Sequence, residues 1–300
     1  MTIPTPTRPA KKAPVSRPAI KASSNPFDDL IDTRTTQGKF LMLYGEAGEG
    51  KTSLAAQFPS PLFVVTSGEQ GIFLLKQRSV VSQNLPVIAL DELFPHEFIP
   101  QGTGHPGWKK CMETLEMFRD DDHPYQTLVI DSVSGLQDLC FQHCASQLFD
   151  GDMDSEAFTG WFRGYSKAAE AFWSAEFLPI ILSIVAKGLN VVLVAHQDYK
   201  QVENPSGPDF NRFQPALQKG IWNFTKKDLH GVFYLGREVM VVIDKKTKKK
   251  STTGDRRFIG LSPSTYYIAK TWCTPEGITE LECGESAAAS WSVLKEALGM

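Results

Sequence analysis

Residues 45–52 read Gly-Glu-Ala-Gly-Glu-Gly-Lys-Thr, the full G-x-x-x-x-G-K-[ST] spacing of a phosphate-binding loop. No other stretch constrains the chain as tightly. To grip a triphosphate, the backbone must bend around it with its N–H groups turned inward. Gly45, Gly48 and Gly50 allow that bend because they carry no Cβ. Lys51 then reaches the β- and γ-phosphates, and the Thr52 hydroxyl ligates Mg²⁺. Glu46, Ala47, Glu49 and Ser53 complete the nucleotide-binding segment. The flanks suit the motif: Phe40–Tyr44 is a short apolar run of the kind a buried parallel strand needs. Lys51 to Phe58 reads as a helix ended by Pro59, its N-terminus toward the phosphates. The ligand implied is a nucleoside triphosphate with Mg²⁺.

The rest of the chain alternates as a parallel sheet requires. Strands are expected at Leu62–Thr66, Leu85–Leu90, Thr127–Asp131 and Asn190–Ala195, and helices near Gly107–Phe118 and from Ser155 to Lys187. Hairpin-like runs follow at Val232–Leu235, Glu238–Ile243 and Arg257–Leu261, and one amphipathic helix at Ala287–Leu298. Thr127–Asp131 is an apolar run that ends in a carboxylate. Such a strand delivers Asp131 to the edge where open α/β sheets place their ligands, and there it completes the Mg²⁺ shell.

Ser132 follows Asp131, so the adjacent glutamate that many ATPases use to orient water is missing. Another carboxylate at the sheet edge must take that task, because phosphoryl transfer depends on positioning the nucleophile. Glu69, just beyond the second strand, is the best placed; the other reading is a solvated turn residue.

These features resemble the RecA-like branch of the P-loop ATPases, in which a neighbouring strand supplies the glutamate. They are most similar to phage-type nucleotide-binding ATPases related to the Sak group of single-strand-annealing recombinases. The matching stretches are Leu43–Pro61, Pro61–Thr66, Tyr125–Ser132, Gly164-Tyr165, Leu189–Gln197 and Asp209–Leu217. The more specific part is Val194-Ala-His-Gln197 followed by Arg212-Phe-Gln-Pro215. In one respect the chain departs: members commonly place Glu directly after Thr in the second-strand turn, and here Ser67-Gly68 intervene before Glu69.

The resemblance implies an α/β RecA-like P-loop fold, a mostly parallel central sheet flanked by helices, with a C-terminal β-hairpin extension. It implies catalytic roles for Lys51, Glu69, Asp131, His196 and Gln197, the last two as γ-phosphate sensors; a strand-capping histidine is the plainer alternative for His196. The polar loop Asp198–Gln218, with Arg212 its single arginine, becomes a face for nucleic acid or for a protein partner. A basic residue from a neighbouring subunit could complete the site, with Lys226, Lys227 and Arg237 as the choices. The implied activity is Mg²⁺-dependent ATP hydrolysis on single-stranded DNA in phage or bacterial recombination or replication. The partners would be a homo-oligomer or a replication or recombination protein. The alternative is a nucleotide-gated interaction module with little turnover.

Charge placement bears on the nucleic-acid expectation. Residues 1–27 hold six prolines, five basic residues and no acid, which reads as a disordered basic arm. The ATPase domain is expected over 28–245, with a basic hairpin and C-terminal extension over 246–300. Lys245, Lys246, Lys248, Lys249, Lys250, Arg256 and Arg257 crowd one turn, opposed only by Asp255. Without the arm and that turn, the remaining residues carry a net −14. A body that acidic repels phosphate backbones, so nucleic acid would be held by the arm and the lysine-rich turn; a solvated turn is the other reading. A small-molecule kinase is disfavoured, since no arginine-rich lid is evident. No uninterrupted apolar run reaches the ~18 residues that span a bilayer. Five cysteines without a C-x-x-C pair fit a reducing, cytoplasmic setting, and Cys140, His143 and Cys144 read as one apolar helix face rather than a metal site.

Overall fold

The computed structural model describes residues 37–66, 68–90, 99, 101–204, 207–243 and 250–300, with backbone alone over 239–243 and 250–255. The basic arm and Lys245, Lys246, Lys248 and Lys249 lie outside the described residues, and Lys250 is described as backbone only.

The first half alternates: β1 (Phe40–Gly45), α1 (Lys51–Ala55), β2 (Pro61–Val65), α2 (Gly71–Gln77), β3 (Val87–Ala89), α3 (Pro106–Asp120), β4 (Thr127–Asp131) and α4 (Val133–Leu148). A broken helical segment follows, with α5 (Glu156–Thr159), α6 (Arg163–Ala168) and α7 (Leu178–Ala186). Then come β5 (Asn190–Val202), β6 (Phe210–Pro215), α8 (Lys219–Asp228), β7 (Gly231–Ile243), β8 (Lys250–Gly260), β9 (Lys270–Thr271), β10 (Glu280–Glu282) and α9 (Ala287–Leu298).

The main sheet runs β10-β8-β7-β1-β5-β4-β2-β3, parallel from β7 through β3, with β8 and β10 antiparallel at the other side. This is the mixed α/β architecture expected from the sequence, a mostly parallel central sheet flanked by helices. Both faces are covered, which explains why β1, β2 and β4 are buried along their whole lengths and read as unbroken apolar runs. On one face Phe40, Met42 and Tyr44 pack under α3, α4 and α7; on the other Leu41 and Leu43 meet Leu54, Ile72 and Leu294. The strand period of two sorts β1 between the two layers.

Four local expectations are corrected. The helix after the phosphate loop ends at Ala55 rather than Phe58, leaving only five regular residues. The 155–187 stretch is one path broken at Trp161 and Phe162, whose φ of 55° and 56° reverse the chain before α6. Its Glu156–Ala186 portion is, among the described residues, long and apolar enough to cross a membrane, with mean hydropathy 1.5. More than half of its apolar window is nevertheless buried in the fold, where Phe172, Trp173, Phe177 and Ile181 fill the core. The polar stretch Asp198–Gln218 is largely an antiparallel ribbon: β5 continues past the sheet edge to Val202 and pairs with β6, Lys200 opposite Arg212. Val232–Leu235 and Glu238–Ile243 are one strand, β7, with an irregularity between Glu238 and Met240.

Candidate nucleotide site

β1, β2, β4 and β5 run parallel and deliver their C-terminal ends to one edge. β5 lies between β1 and β4, so Val194 is flanked by Leu43 on one side and Asp131 on the other. His196, two residues further on, stands beside Gly45. Residues far apart in the chain are thereby brought to one place.

The loop from Glu46 to Gly50 turns on two glycines in the left-handed region, Gly48 at φ 90° and Gly50 at φ 84°. A Cβ on Gly50 would also lie 2.7 Å from an Arg257 guanidinium nitrogen. Lys51 is buried, its Nζ donating to the carbonyls of Gly45 at 2.9 Å and Glu46 at 2.8 Å. Burial lowers its pKa, while Asp131, Glu69, Glu49 and Glu46 favour the ammonium.

Thr52 Oγ1 donates to Asp131 Oδ2 at 2.8 Å. Asp131 is 2% exposed, and burial pushes its carboxyl up to about 6, against the hydrogen bond from Thr52. Glu69 closes the same edge: its Oε1 lies 2.5 Å from His196 Nε2. Burial alone would raise the Glu69 pKa, but hydrogen bonds with His196 and Ser132 hold it below the ordinary carboxylate value. The bond to Glu69 in turn raises His196. Gln197 Nε2 donates to Glu46 Oε2 at 2.6 Å, tying the end of β5 to the phosphate loop. The backbone N–H of His196 is held by Ser134 Oγ on α4 at 3.1 Å.

The donors at this edge are hard oxygens, the Thr52 hydroxyl and the Asp131 carboxylate, in hydrogen-bond contact beside the lysine. That set suits Mg²⁺, which takes one or two protein oxygens and fills its octahedron with water and phosphate. Among the described residues no group of three or more His, Cys, Asp and Glu side chains could hold a metal by itself. Cys140, Cys144 and His143 are buried on α4, and His143 Nδ1 accepts the backbone N–H of His105.

The other predicted positions fall elsewhere. Lys200 and Arg212 lie out along the β5–β6 ribbon. Lys226 and Lys227 end α8, whose last carbonyls accept Lys270 Nζ near the N-terminal end of β7, at the opposite edge of the sheet from the loop. Arg237, a choice for a neighbouring subunit's residue, meets this chain's own loop instead, beside Arg257, which sequence reasoning missed there. Arg257 Nη2 donates to the Glu49 carbonyl at 2.8 Å, and Arg237 Nε lies 3.4 Å from Glu49 Oε1. Arg237 and Arg257 stand opposite each other only because the register shifts by one at the irregularity between Glu238 and Met240, which the sequence does not announce.

A glycine-rich loop on a buried strand, a lysine at its end and a carboxylate two strands away define the class: a nucleotide-binding ATPase of mixed α/β fold. The chain belongs to the family described as AAA domain, whose model matches residues 37–273. No curated protein matches it. Among solved structures it is similar to the flagellar accessory protein FlaH from Methanocaldococcus jannaschii, at 13% identity and a TM-score of 0.44, over 90% of this chain and 96% of that one. It is also similar to the RadB recombinase, at 14% identity and a TM-score of 0.39, over 85% and 90% of the two chains.

Proposed function

We propose that this protein is a Mg²⁺-dependent ATPase that handles single-stranded nucleic acid, with hydrolysis switching the β5–β6 ribbon. One juxtaposition carries the reading: the Thr52–Asp131 pair and the Glu69–His196 pair share the edge at which the phosphate loop opens. Lys51 and the loop N–H groups bind the β- and γ-phosphates, and Thr52 and Asp131 would hold the ion. Bound Mg²⁺ supplies neutralisation of charge on the β- and γ-oxygens. Glu69, kept anionic by its neighbours, orients the attacking water toward the γ-phosphorus. His196 is the reporter, since a group bonded to the catalytic carboxylate must change partners when a γ-phosphate competes for it.

The ribbon begins at that reporter. β5 continues from His196 through Tyr199 and Lys200, so a shift at the edge moves an exposed tyrosine and a cross-strand pair of cations. Lys200 facing Arg212 is mutually repulsive unless an anion lies between them, and a phosphate backbone supplies one. The recombination or replication role rests on the resemblance of Val194–Gln197 and Arg212–Pro215. Five free cysteines accord with our placing the protein in the cytoplasm. The deciding measurement is ATP turnover with Mg²⁺, with and without single-stranded oligonucleotide, at two salt concentrations. Stimulation that fades at high salt is expected. Near-zero turnover, unmoved by the strand and accompanied by tight ATP binding, would instead identify a nucleotide-gated interaction module.

A further inference from the structure

A cavity of about 390 Å³ opens on the far side of the phosphate loop from Asp131, lined by loop residues Gly48–Gly50 and by Leu54, Leu235, Arg257, Cys283, Ser286 and Ala287. Its position follows from sheet order. β5 and β4 lie to one side of β1 and bring His196 and Asp131; β7, β8 and β10 lie to the other side and bring Leu235, Arg257 and the residues after Glu282. Whatever occupies the loop therefore has its reacting end toward β4 and its opposite end toward this cavity.

We infer that the cavity takes the base and ribose of the nucleotide, and that Cys283–Ser290 forms its outer wall. This rests on the nucleotide reading and adds a recognition element to it. The segment lies beyond residue 273, where the family match ends.

Size and chemistry agree with the assignment. Small-molecule sites run from about 300 Å³ upward and pair apolar walls with a few polar groups. Leu54, Leu235 and Ala287 supply apolar walls, with Cys283 beside them. Arg257, Glu285, Ser286 and Ser290 supply polarity, and Arg257 is already hydrogen-bonded to the Glu49 carbonyl. A guanidinium at the junction of loop and cavity is suited to the phosphate or ribose oxygen that joins the two halves of a nucleotide.

The wall is fixed in advance, which lowers the cost of binding. β10 pairs with β8, and Cys283 N–H continues the ladder to the Arg257 carbonyl at 2.8 Å. Ser286 Oγ caps α9 by accepting from Ala289 N–H, and Ser290 Oγ donates back to the Gly284 and Ser286 carbonyls. A Cβ on Gly284 would fall 2.4 Å from that of Ala289, so the turn into α9 is closely packed. α9 itself is pinned by Trp291 against Phe58, ring centroids 4.3 Å apart, and by buried Leu294 and Leu298.

The test separates the cavity from the loop by using two ligands. Calorimetry compares Mg²⁺–ATP with Mg²⁺–tripolyphosphate, which fills the loop and leaves the cavity alone. In the full-length chain ATP should bind at least tenfold tighter. Ala287→Trp, placed to fill the cavity, should bring ATP down to the affinity of tripolyphosphate and leave tripolyphosphate unchanged. A readout without substitution is maleimide labelling, mapped by mass spectrometry: ATP should slow Cys283 at least tenfold, tripolyphosphate should not, and Cys273 should respond to neither. Equal affinity for the two ligands in the unsubstituted chain, or Cys283 labelling indifferent to ATP, overturns the assignment. If neither ligand binds, the nucleotide reading falls and takes this inference with it; if tripolyphosphate binds as well as ATP, only the cavity assignment falls.

Discussion

Arg257 reaches back 208 residues to donate to the main-chain carbonyl of Glu49 inside the phosphate loop. Its neighbour across the hairpin, Arg237, stands directly opposite, and the Glu49 carboxylate faces both guanidiniums, 3.4 Å from Arg237 and 3.9 Å from Arg257. Two like charges in direct register repel. Here a single acid from another element offsets them, and the cluster keeps one positive charge in surplus beside the loop. In sequence, the lysine-rich residues 244–249 fall between the same two strands, β7 and β8.

The surplus charge leads to a direct prediction. Arg257→Ala should raise the Kd for Mg²⁺–ATP about tenfold, in the range of a charge-assisted hydrogen bond. Glu49→Gln removes the acid that holds both arginines and should tighten ATP, since the guanidiniums are freed toward the phosphates. Calorimetry on the two variants checks the opposite signs. Weakening in both would mean that the cluster acts only by shaping the loop.

Glu69 tests the chemistry. Glu69→Gln keeps the shape and the hydrogen bond to His196 but removes the charge that orients water. Turnover should fall by about 10²–10⁴ with ATP affinity nearly unchanged, the signature of an interaction needed in the transition state alone. Single-turnover hydrolysis and equilibrium binding, measured on one preparation, separate the two quantities. Retained turnover would return Glu69 to the role of a turn residue.

What was legible in the sequence followed from local rules. The phosphate loop, β1, β4 with its terminal Asp131 and α9 were readable because buried parallel strands need apolar runs and helix ends need caps. Ser286, the cap of α9, stands directly before the predicted start at Ala287. The ribbon was hidden because its strands are half exposed and polar: Lys200, Gln201, Asn211 and Arg212 give no apolar alternation. The break at Trp161 and Phe162 was hidden too, since aromatic residues in the left-handed region have no sequence signal. The pairing of Glu69 with His196, 127 residues apart, depends on strand order, which no window of sequence contains.

That pairing predicts a pH dependence of stability. His196 is held above its ordinary value of 6.5 by Glu69, so its contribution is complete below pH 6.5 and fades as pH rises through the elevated folded value. Glu69 is held below its ordinary 4.5, so its contribution is complete above pH 4.5 and fades as pH falls through the lowered folded value. The two windows overlap between 4.5 and 6.5. His196 is 46% exposed at its side chain, which limits the effect to about 1 kcal/mol or less. Thermal melts of the unsubstituted chain and of His196→Asn should differ by about 2 °C near pH 5.5 and converge as pH rises through the elevated His196 value. A gap that stays constant across this range would assign the loss to packing.

The ribbon supplies the last test. Lys200 and Arg212 face each other on strands that leave the sheet at His196. If the phosphate backbone of a single strand lies between them, Lys200→Gln with Arg212→Gln should weaken oligonucleotide binding and lower the slope of log K against log salt by roughly 1.4, about 0.7 for each phosphate no longer neutralised. Stimulation of the ATPase by the strand should disappear with it, because the ribbon is the route from strand to His196. Replacing Lys245, Lys246, Lys248, Lys249 and Lys250 by alanine tests the turn separately. Weakened binding with stimulation retained is the result expected there if those lysines neutralise phosphates and the ribbon alone carries the signal. Anisotropy titrations at three salt concentrations, paired with turnover on the same oligonucleotide, resolve the two surfaces. Binding and stimulation untouched in the ribbon variant would remove β5–β6 from the nucleic-acid path.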